Sequence, residues 1–169
     1  MKSLIKKDKI RQRISSLARK ISRDYKGKEL VLVGVLKGGF VFLADLIRQI
    51  TLPLEIDFIQ LASYGASTTS SGVIKVKKDI DLPIAGKDVL VVEDIVDYGY
   101  TMDYLLQFLA DKKARSVKLC ALLDKPARRK VKVRIDYRGF KVPDKFIVGY
   151  GLDCDEKFRN LPDIAYLEK

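Results

Sequence analysis

Histidine is absent from the 169 residues, and that one gap removes Ser-His-Asp triads, Cys-His dyads, His-ligated zinc and an imidazole acid-base together. Any catalysis has to run on carboxylates, lysine, arginine, tyrosine or backbone groups. Cysteine is scarce: Cys120 and Cys154 lie far apart, fit no metal spacing and lack the density of a disulfide-stapled secreted scaffold. A reducing, cytoplasmic setting is the expectation. No apolar run approaches the roughly 18–20 residues that span a bilayer, and the opening MKSLIKKDKI has no secretory h-region. Two nucleotide motifs are missing as well. GxxxxGK[ST] does not occur, and the Gly34…Gly38-Gly39 spacing does not make GxGxxG, so nucleotide-hydrolase and dinucleotide readings fall. Linkers, repeats and low-complexity stretches are lacking too, which predicts one domain over residues 1–169.

What is present is enough for a core: 47% of residues are hydrophobic and 33% charged. The net charge of +11 is unevenly placed, with eleven Lys and Arg against two acids in residues 1–28, a net +9, leaving +2 for residues 29–169. Ile10, Ile14, Leu17, Ala18 and Ile21 recur at helical spacing, so residues 8–24 predict an amphipathic helix with a solvated basic face. The opening residues read into that helix without a break. Glu29–Leu36 is continuously apolar and rich in Val, as a strand buried on both faces of a parallel sheet would be. A Lys37-Gly38-Gly39 turn then leads into a helix over 40–50. Residues 55–62 predict a strand, Ser63–Gly72 a mobile loop, and Val73–Lys78 one leg of a hairpin rising from it. Asp88–Glu93, a helix over 101–111, Ser116–Leu123 and a short strand from Phe146 complete an α/β pattern with a parallel sheet flanked by helices.

In open α/β sheets ligands bind beyond the carboxyl ends of the strands. Those ends carry chemistry here: Leu36-Lys37-Gly38-Gly39, then Glu93 through Thr101, then Asp124-Lys125, then Gly149 through Asp153. The Asp97–Thr101 turn can aim consecutive backbone N–H groups from a helix start, with the Thr101 hydroxyl beside them, which suits a monophosphate. Glu93 and Asp94 are two carboxylates at one strand end, suited to a sugar diol or a hydrated magnesium ion. Lys37 sits where glycine backbone can also approach a ligand closely.

VVEDIVDYGYT, Val91–Thr101, resembles the phosphoribosyl-pyrophosphate signature of the type I phosphoribosyltransferases. VLVGVLKGGFVF, EIDFIQLASYG, VPDKFIVGYGLD and EKFRNL resemble, in order, segments of the hypoxanthine-guanine phosphoribosyltransferases. The resemblance implies that family's fold, with a small hood and a flexible hairpin loop about residues 63–75, of which Ser63 and Tyr64 begin a lid. It implies a magnesium-dependent (Mg2+) transfer from phosphoribosyl pyrophosphate to a 6-oxopurine, in a homo-oligomer, dimer or tetramer. Site roles follow residue by residue. Glu93 and Asp94 match acids for the ribose hydroxyls and, through water, magnesium; Asp97 matches the carboxylate near purine N7; Asp97, Tyr98, Gly99, Tyr100 and Thr101 match the 5′-phosphate loop. Leu36, Lys37 and Gly38 match the pyrophosphate turn, with a cis peptide between the first two, and Arg159 a further pyrophosphate contact. Lys125 matches the donor to O6, Phe146 the ring stacked on the purine, Ile147 the backbone that reads the base edge, and Asp153 the acid for a second magnesium. Tyr98 departs from the small hydroxyl residue usual there, whose phosphate contact its distant hydroxyl does not reproduce. Tyr100 fills a more variable position.

Two rivals remain at this level. An RNA-binding regulator on the same fold would draw on the basic start and on Arg128-Arg129-Lys130, but no aromatic-interleaved basic motif accompanies them. A transferase preferring xanthine or a pyrimidine is the closer rival, disfavoured by the Lys125 and Phe146–Asp153 matches.

Overall fold

The computed structural model describes residues 1–64 and 73–168. In chain order the elements are β1 (Lys2–Ile5), α1 (Lys7–Asp24), β2 (Leu30–Leu36), α2 (Phe40–Ile47), β3 (Glu55–Tyr64), β4 (Val73–Lys78), β5 (Asp88–Val96), α3 (Tyr100–Asp111), β6 (Ser116–Asp124), β7 (Tyr137–Lys141), β8 (Phe146–Val148) and β9 (Ile164–Leu167), with a 3-10 turn at Pro126–Arg128. Six strands form the main sheet in the order β4-β3-β2-β5-β6-β7, all parallel to their neighbours except β4, which runs antiparallel to β3. A three-stranded antiparallel sheet, β1-β9-β8, forms a hood.

The strict two-residue alternation of a strand divides the central residues between two cores. Leu30, Leu32, Leu90, Val92, Cys120 and Leu122 pack with Ile10, Ile14, Leu17 and Ile21 of α1 and Phe42, Leu43 and Leu46 of α2. Val31, Val33, Val35, Val89, Val91, Leu119 and Ala121 pack with Met102, Leu105 and Leu109 of α3. Each fully buried Val or Leu contributes about 1.5–3 kcal/mol, so helices on both faces fix the sheet and with it the strand ends. The helix expected over 8–24 is α1, and its basic face lies outward, apart from Arg13, whose guanidinium donates to the carbonyls of Arg138 and Gly139. No helix among the described residues is long and apolar enough to cross a membrane.

Four local expectations are corrected. Lys2–Ile5 is a strand and not a lead-in to the helix, because it pairs with β9 at the far end of the chain. β7 and β9 likewise exist through partners distant in sequence, β6 and the hood. Ser63 and Tyr64, expected to open the loop, continue β3 through pairing with Ile74 and Val73, so a cross-strand ladder overrides a polar local composition. The expected loop at 65–72 lies outside the described residues, and 73–75 belong to β4. The helix after Gly39 ends at Ile47 rather than at 50.

Asp57 holds the base of the hairpin. Its buried carboxylate accepts from the backbone N–H groups of Phe58 (2.7 Å), Asp81 (2.7 Å) and Leu82 (2.8 Å), tying the segment after β4 back to β3. Burial works to raise its pKa, and the N–H groups of Leu82, Phe58 and Asp81 together with Lys78 outweigh it, leaving the carboxyl below its ordinary value. A depressed pKa contributes stability that is present above the unfolded carboxylate value and lost as pH falls through the folded one. Asp57→Ala is expected to lower stability by about 2 kcal/mol near neutral pH. In denaturant titrations the gap from the unmodified chain narrows below about pH 4.

Candidate active site

The end of β5 and the residues that follow β5, β6 and β8 converge on two small cavities that share Ile95 and Asp97. The first, about 210 Å³, is lined by Ser63, Glu93 and Asp97–Met102. It lies against the start of α3, where Gly99 takes φ +98°, a left-handed conformation that suits glycine. A Cβ there would come within 2.7 Å of the Val131 carbonyl oxygen. The positive end of the α3 dipole and the unpaired N–H groups of its first turn face this space, which suits a phosphate dianion. Thr101 stands half-buried in its wall.

The second cavity, about 240 Å³, is lined by Asp94, Asp97, Lys125, Arg128, Phe146, Ile147 and Asp153 among others. Its floor is charged and its rim aromatic: Lys125 is buried, whereas Phe146 is 57% exposed. An exposed phenyl ring over a slot of this size can stack on a planar heterocycle. Lys125 Nζ lies 3.4 Å from Asp97 Oδ2, and Arg128 lies 3.7 Å from the same oxygen. Asp97 Oδ1 is buried and has no hydrogen-bond partner among the described residues.

Glu93 and Asp94 occupy the last turns of β5. Glu93 Oε1 accepts from the Asp94 N–H (3.1 Å), and Asp94 Oδ1 accepts from the Ile95 N–H (2.8 Å). Burial first, and then the Asp94 charge beside it, pushes the Glu93 pKa well up. Burial also raises that of Asp94, against the pull of its hydrogen bonds and of Arg159. The turn after β2 passes directly over this pair. A Cβ on Gly38 would sit 1.8 Å from Asp94 Oδ2, so only glycine permits the approach. The Leu36–Lys37 peptide is cis, as the resemblance implies.

Lys37 Nζ pairs with Glu156 Oε2 at 3.0 Å. Arg159 donates to the Gly151 carbonyl (2.8 Å) and pairs with Asp153 (3.0 Å) and Glu156 (3.3 Å). Asp153 Oδ2 also accepts from the Glu156 N–H (2.9 Å), and Lys37 and Arg159 hold the Glu156 carboxyl below its ordinary pKa. Among the described residues no three acids or cysteines gather closely enough to hold a metal by themselves. The candidate residues from Leu36 to Arg159 thus come together at one end of the sheet. Tyr64 reaches this end through its backbone pairing with Val73.

Comparison with known proteins agrees with this geometry. The phosphoribosyl transferase domain matches residues 2–155. The chain is 47% identical over 169 residues to a hypoxanthine-guanine phosphoribosyltransferase of Aquifex aeolicus, covering 99% of this chain and 95% of that one. It is 47% identical over 167 residues to a bifunctional TilS/HprT protein of Listeria monocytogenes, covering 99% of this chain and 26% of that protein, so it spans about a quarter of such bifunctional relatives. A crystal structure of a hypoxanthine-guanine phosphoribosyltransferase from Bacillus anthracis superposes with a TM-score of 0.96 at 49% identity, covering 99% of each chain.

Two arginines of the site, Arg128 and Arg129, escaped the sequence reading as site residues. Arg128 and Arg129 resemble a solvated patch in a basic run, yet the 3-10 turn at Pro126–Arg128 folds them back. Arg129 donates to the carbonyls of Val96 (3.2 Å) and Asp97 (3.0 Å) and to Asp124 (2.6 Å), clamping the 97–101 loop to the end of β6. Asp124, buried, also pairs with Arg138 at 3.1 Å. The one available signal was the position of Asp124 at a strand end. Arg129→Met removes the donor to the Asp97 carbonyl and one of the two cations on buried Asp124, and is expected to cost about 2 kcal/mol in chemical denaturation. Arg128→Met, on the exposed side, costs less than about 1 kcal/mol.

Proposed function

We propose that this chain, which belongs to the phosphoribosyl transferase domain family and within it to the hypoxanthine-guanine phosphoribosyltransferases, transfers the 5-phosphoribosyl group from phosphoribosyl pyrophosphate to hypoxanthine, guanine or both. The products are inosine or guanosine monophosphate and pyrophosphate, a purine-salvage reaction. The observation that carries this reading is the meeting of an anion-suited cavity and an aromatic-rimmed slot at Asp97, with a buried acid pair beside them. We read residues 1–169 as one such unit, acting in the cytoplasm as a homo-oligomer.

Each part of the substrate meets matching chemistry. The 5′-phosphate lies in the 97–101 loop at the α3 start, and the ribose hydroxyls face Glu93 and Asp94. Lys37, the Gly38 backbone and Arg159 receive the pyrophosphate. The base enters the slot under Phe146, beside Ile147, with Lys125 donating to its O6. Lys125 favours a carbonyl at C6 over the amino group of adenine, where two donors would face each other.

Breaking the bond from C1 of the ribose to pyrophosphate leaves an oxocarbenium-like centre, which demands orientation, charge stabilisation and exclusion of water. The purine nitrogen closes on C1, and the proton displaced from the ring passes to Asp97, the carboxylate that lines both cavities. Lys125, 3.4 Å from Oδ2, orients that carboxylate and offsets its charge. No covalent nucleophile is required.

The donor set fits magnesium. Burial and the neighbouring Asp94 charge disfavour a charged Glu93, a penalty that a divalent cation beside the pair would offset. Among the described residues too few acids gather to cage an ion, so water and substrate phosphates would complete the octahedron. Glu93 and Asp94, through water, and Asp153 would hold it. Bound there, it neutralises charge on the departing pyrophosphate.

The test is product formation from phosphoribosyl pyrophosphate with hypoxanthine, guanine, xanthine, adenine or uracil, with and without magnesium. Magnesium-dependent inosine or guanosine monophosphate is expected, and failure to form either overturns the reading. Asp97→Asn is expected to lower kcat by about 10²–10³-fold while changing phosphoribosyl-pyrophosphate affinity less than about threefold. Equal losses in both would remove Asp97 from proton transfer.

A further inference from the structure

We propose that Glu156 is a built-in competitor for pyrophosphate, occupying the same two cations that the leaving group needs and setting how tightly it is held. This rests on the reading of Lys37 and Arg159 as pyrophosphate contacts. The geometry is specific. A single carboxylate oxygen, Oε2, lies 3.0 Å from Lys37 Nζ and 3.3 Å from Arg159 Nη2. The two cations belong to separate parts of the chain, the turn after β2 and the segment between β8 and β9, so one bridging oxygen has the place that a phosphate oxygen would take between them.

The surroundings let Glu156 leave while the cations stay. Arg159 is held independently through the Gly151 carbonyl at 2.8 Å and Asp153 at 3.0 Å. The Glu156 backbone is fixed in a tight turn, with Asp155 at φ +50° and Glu156 at φ +61°. That turn is closed by the reciprocal Cys154–Lys157 hydrogen bonds, 3.1 and 3.0 Å, and by the Glu156 N–H donating to Asp153. The side chain, in contrast, is 64% exposed. A rotation about its own bonds is enough to free both cations, and the same rotation reversed returns a carboxylate to them as pyrophosphate departs. The cost to an incoming ligand is small, since exposed ion pairs are weak, but it falls on phosphoribosyl pyrophosphate and pyrophosphate and not on the base.

Glu156→Gln keeps the shape and removes the charge. Pyrophosphate binding, measured by calorimetry on the full chain with magnesium present, is expected to tighten about 3- to 10-fold, with a parallel fall in KM for phosphoribosyl pyrophosphate and no change in KM for hypoxanthine. Asp155→Asn removes the same charge one residue away and is expected to change pyrophosphate affinity less than about twofold. Unchanged or weaker binding by Glu156→Gln in an enzyme that turns over overturns the competitor and leaves the transferase reading standing. Equal tightening by Asp155→Asn overturns it in favour of general surface charge. Absence of pyrophosphate binding in every form, together with absence of nucleotide product, overturns both.

Discussion

Glu93 and Asp94 lie side by side near the end of β5, Glu93 buried and Asp94 half-buried, with burial and then the Asp94 charge raising the pKa of Glu93 and burial raising that of Asp94. That arrangement works against stability, because a buried carboxylate without a partner costs several kcal/mol or takes up a proton. The surrounding sheet has to sustain it. Val91 and Val92 immediately before the pair are buried on opposite faces, in the two cores that α1, α2 and α3 close. The strand cannot shift to expose its end without unpacking one of them. The chain then brings Gly38 over Asp94 at a distance no side chain would allow. A cation-hungry pocket is therefore built into a rigid frame and left for the substrate complex to neutralise.

Around this pair the remaining acids of the site are treated differently. Asp97 faces Lys125 and Arg128, Asp124 faces Arg129 and Arg138, Asp153 faces Arg159, and Glu156 faces both Lys37 and Arg159. The Asp124–Arg129 pair is sheltered, with Asp124 buried and Arg129 half-buried, and fixes the 97–101 loop through its carbonyls. The Glu156 pairs are exposed and exchangeable. The same chemistry thus serves two purposes, and burial decides which. Pairs sheltered from water are costly to break and hold geometry, whereas solvated pairs occupy the ligand's cations at little cost and yield them.

The strands and helices of the main sheet were legible because their signals are local. Val-rich runs at β2, β5 and β6 and the Ile10–Ile21 spacing of α1 need no partner to be recognised. β1, β7 and β9 were not, since Lys2–Ile5 and Ile164–Leu167 are short segments whose strand character comes from pairing with each other across the hood. The same distinction runs through the site. Acids and glycines at strand ends announce themselves by position, which brought out Glu93, Asp97, Lys125 and Asp153. Arg129 and Glu156 act through contacts with residues remote from them in sequence or through a turn of unusual backbone conformation, and a charge run or an exposed turn looks alike with or without such contacts.

Tyr98 shows how a departure in sequence is absorbed by structure. A tyrosine hydroxyl cannot take over the short contact that a small hydroxyl residue would make to a phosphate. The cradle, however, is made of backbone, and the Tyr98 carbonyl accepts from the N–H groups of Lys130 (2.9 Å) and Val131 (3.2 Å), which pins the loop from behind whatever side chain it carries. The ring itself lies beneath the Arg128 guanidinium, 5.8 Å from its centroid, a cation–π separation. Arg128 in turn pairs with Asp97 at 3.7 Å and with Asp144, two residues before Phe146, at 2.6 Å. The larger side chain therefore gives the 97–101 loop a physical link to the aromatic rim of the second cavity. Its position is set by the same helix start that fixes the N–H groups, so the loop keeps its main-chain chemistry while its side-chain chemistry changes.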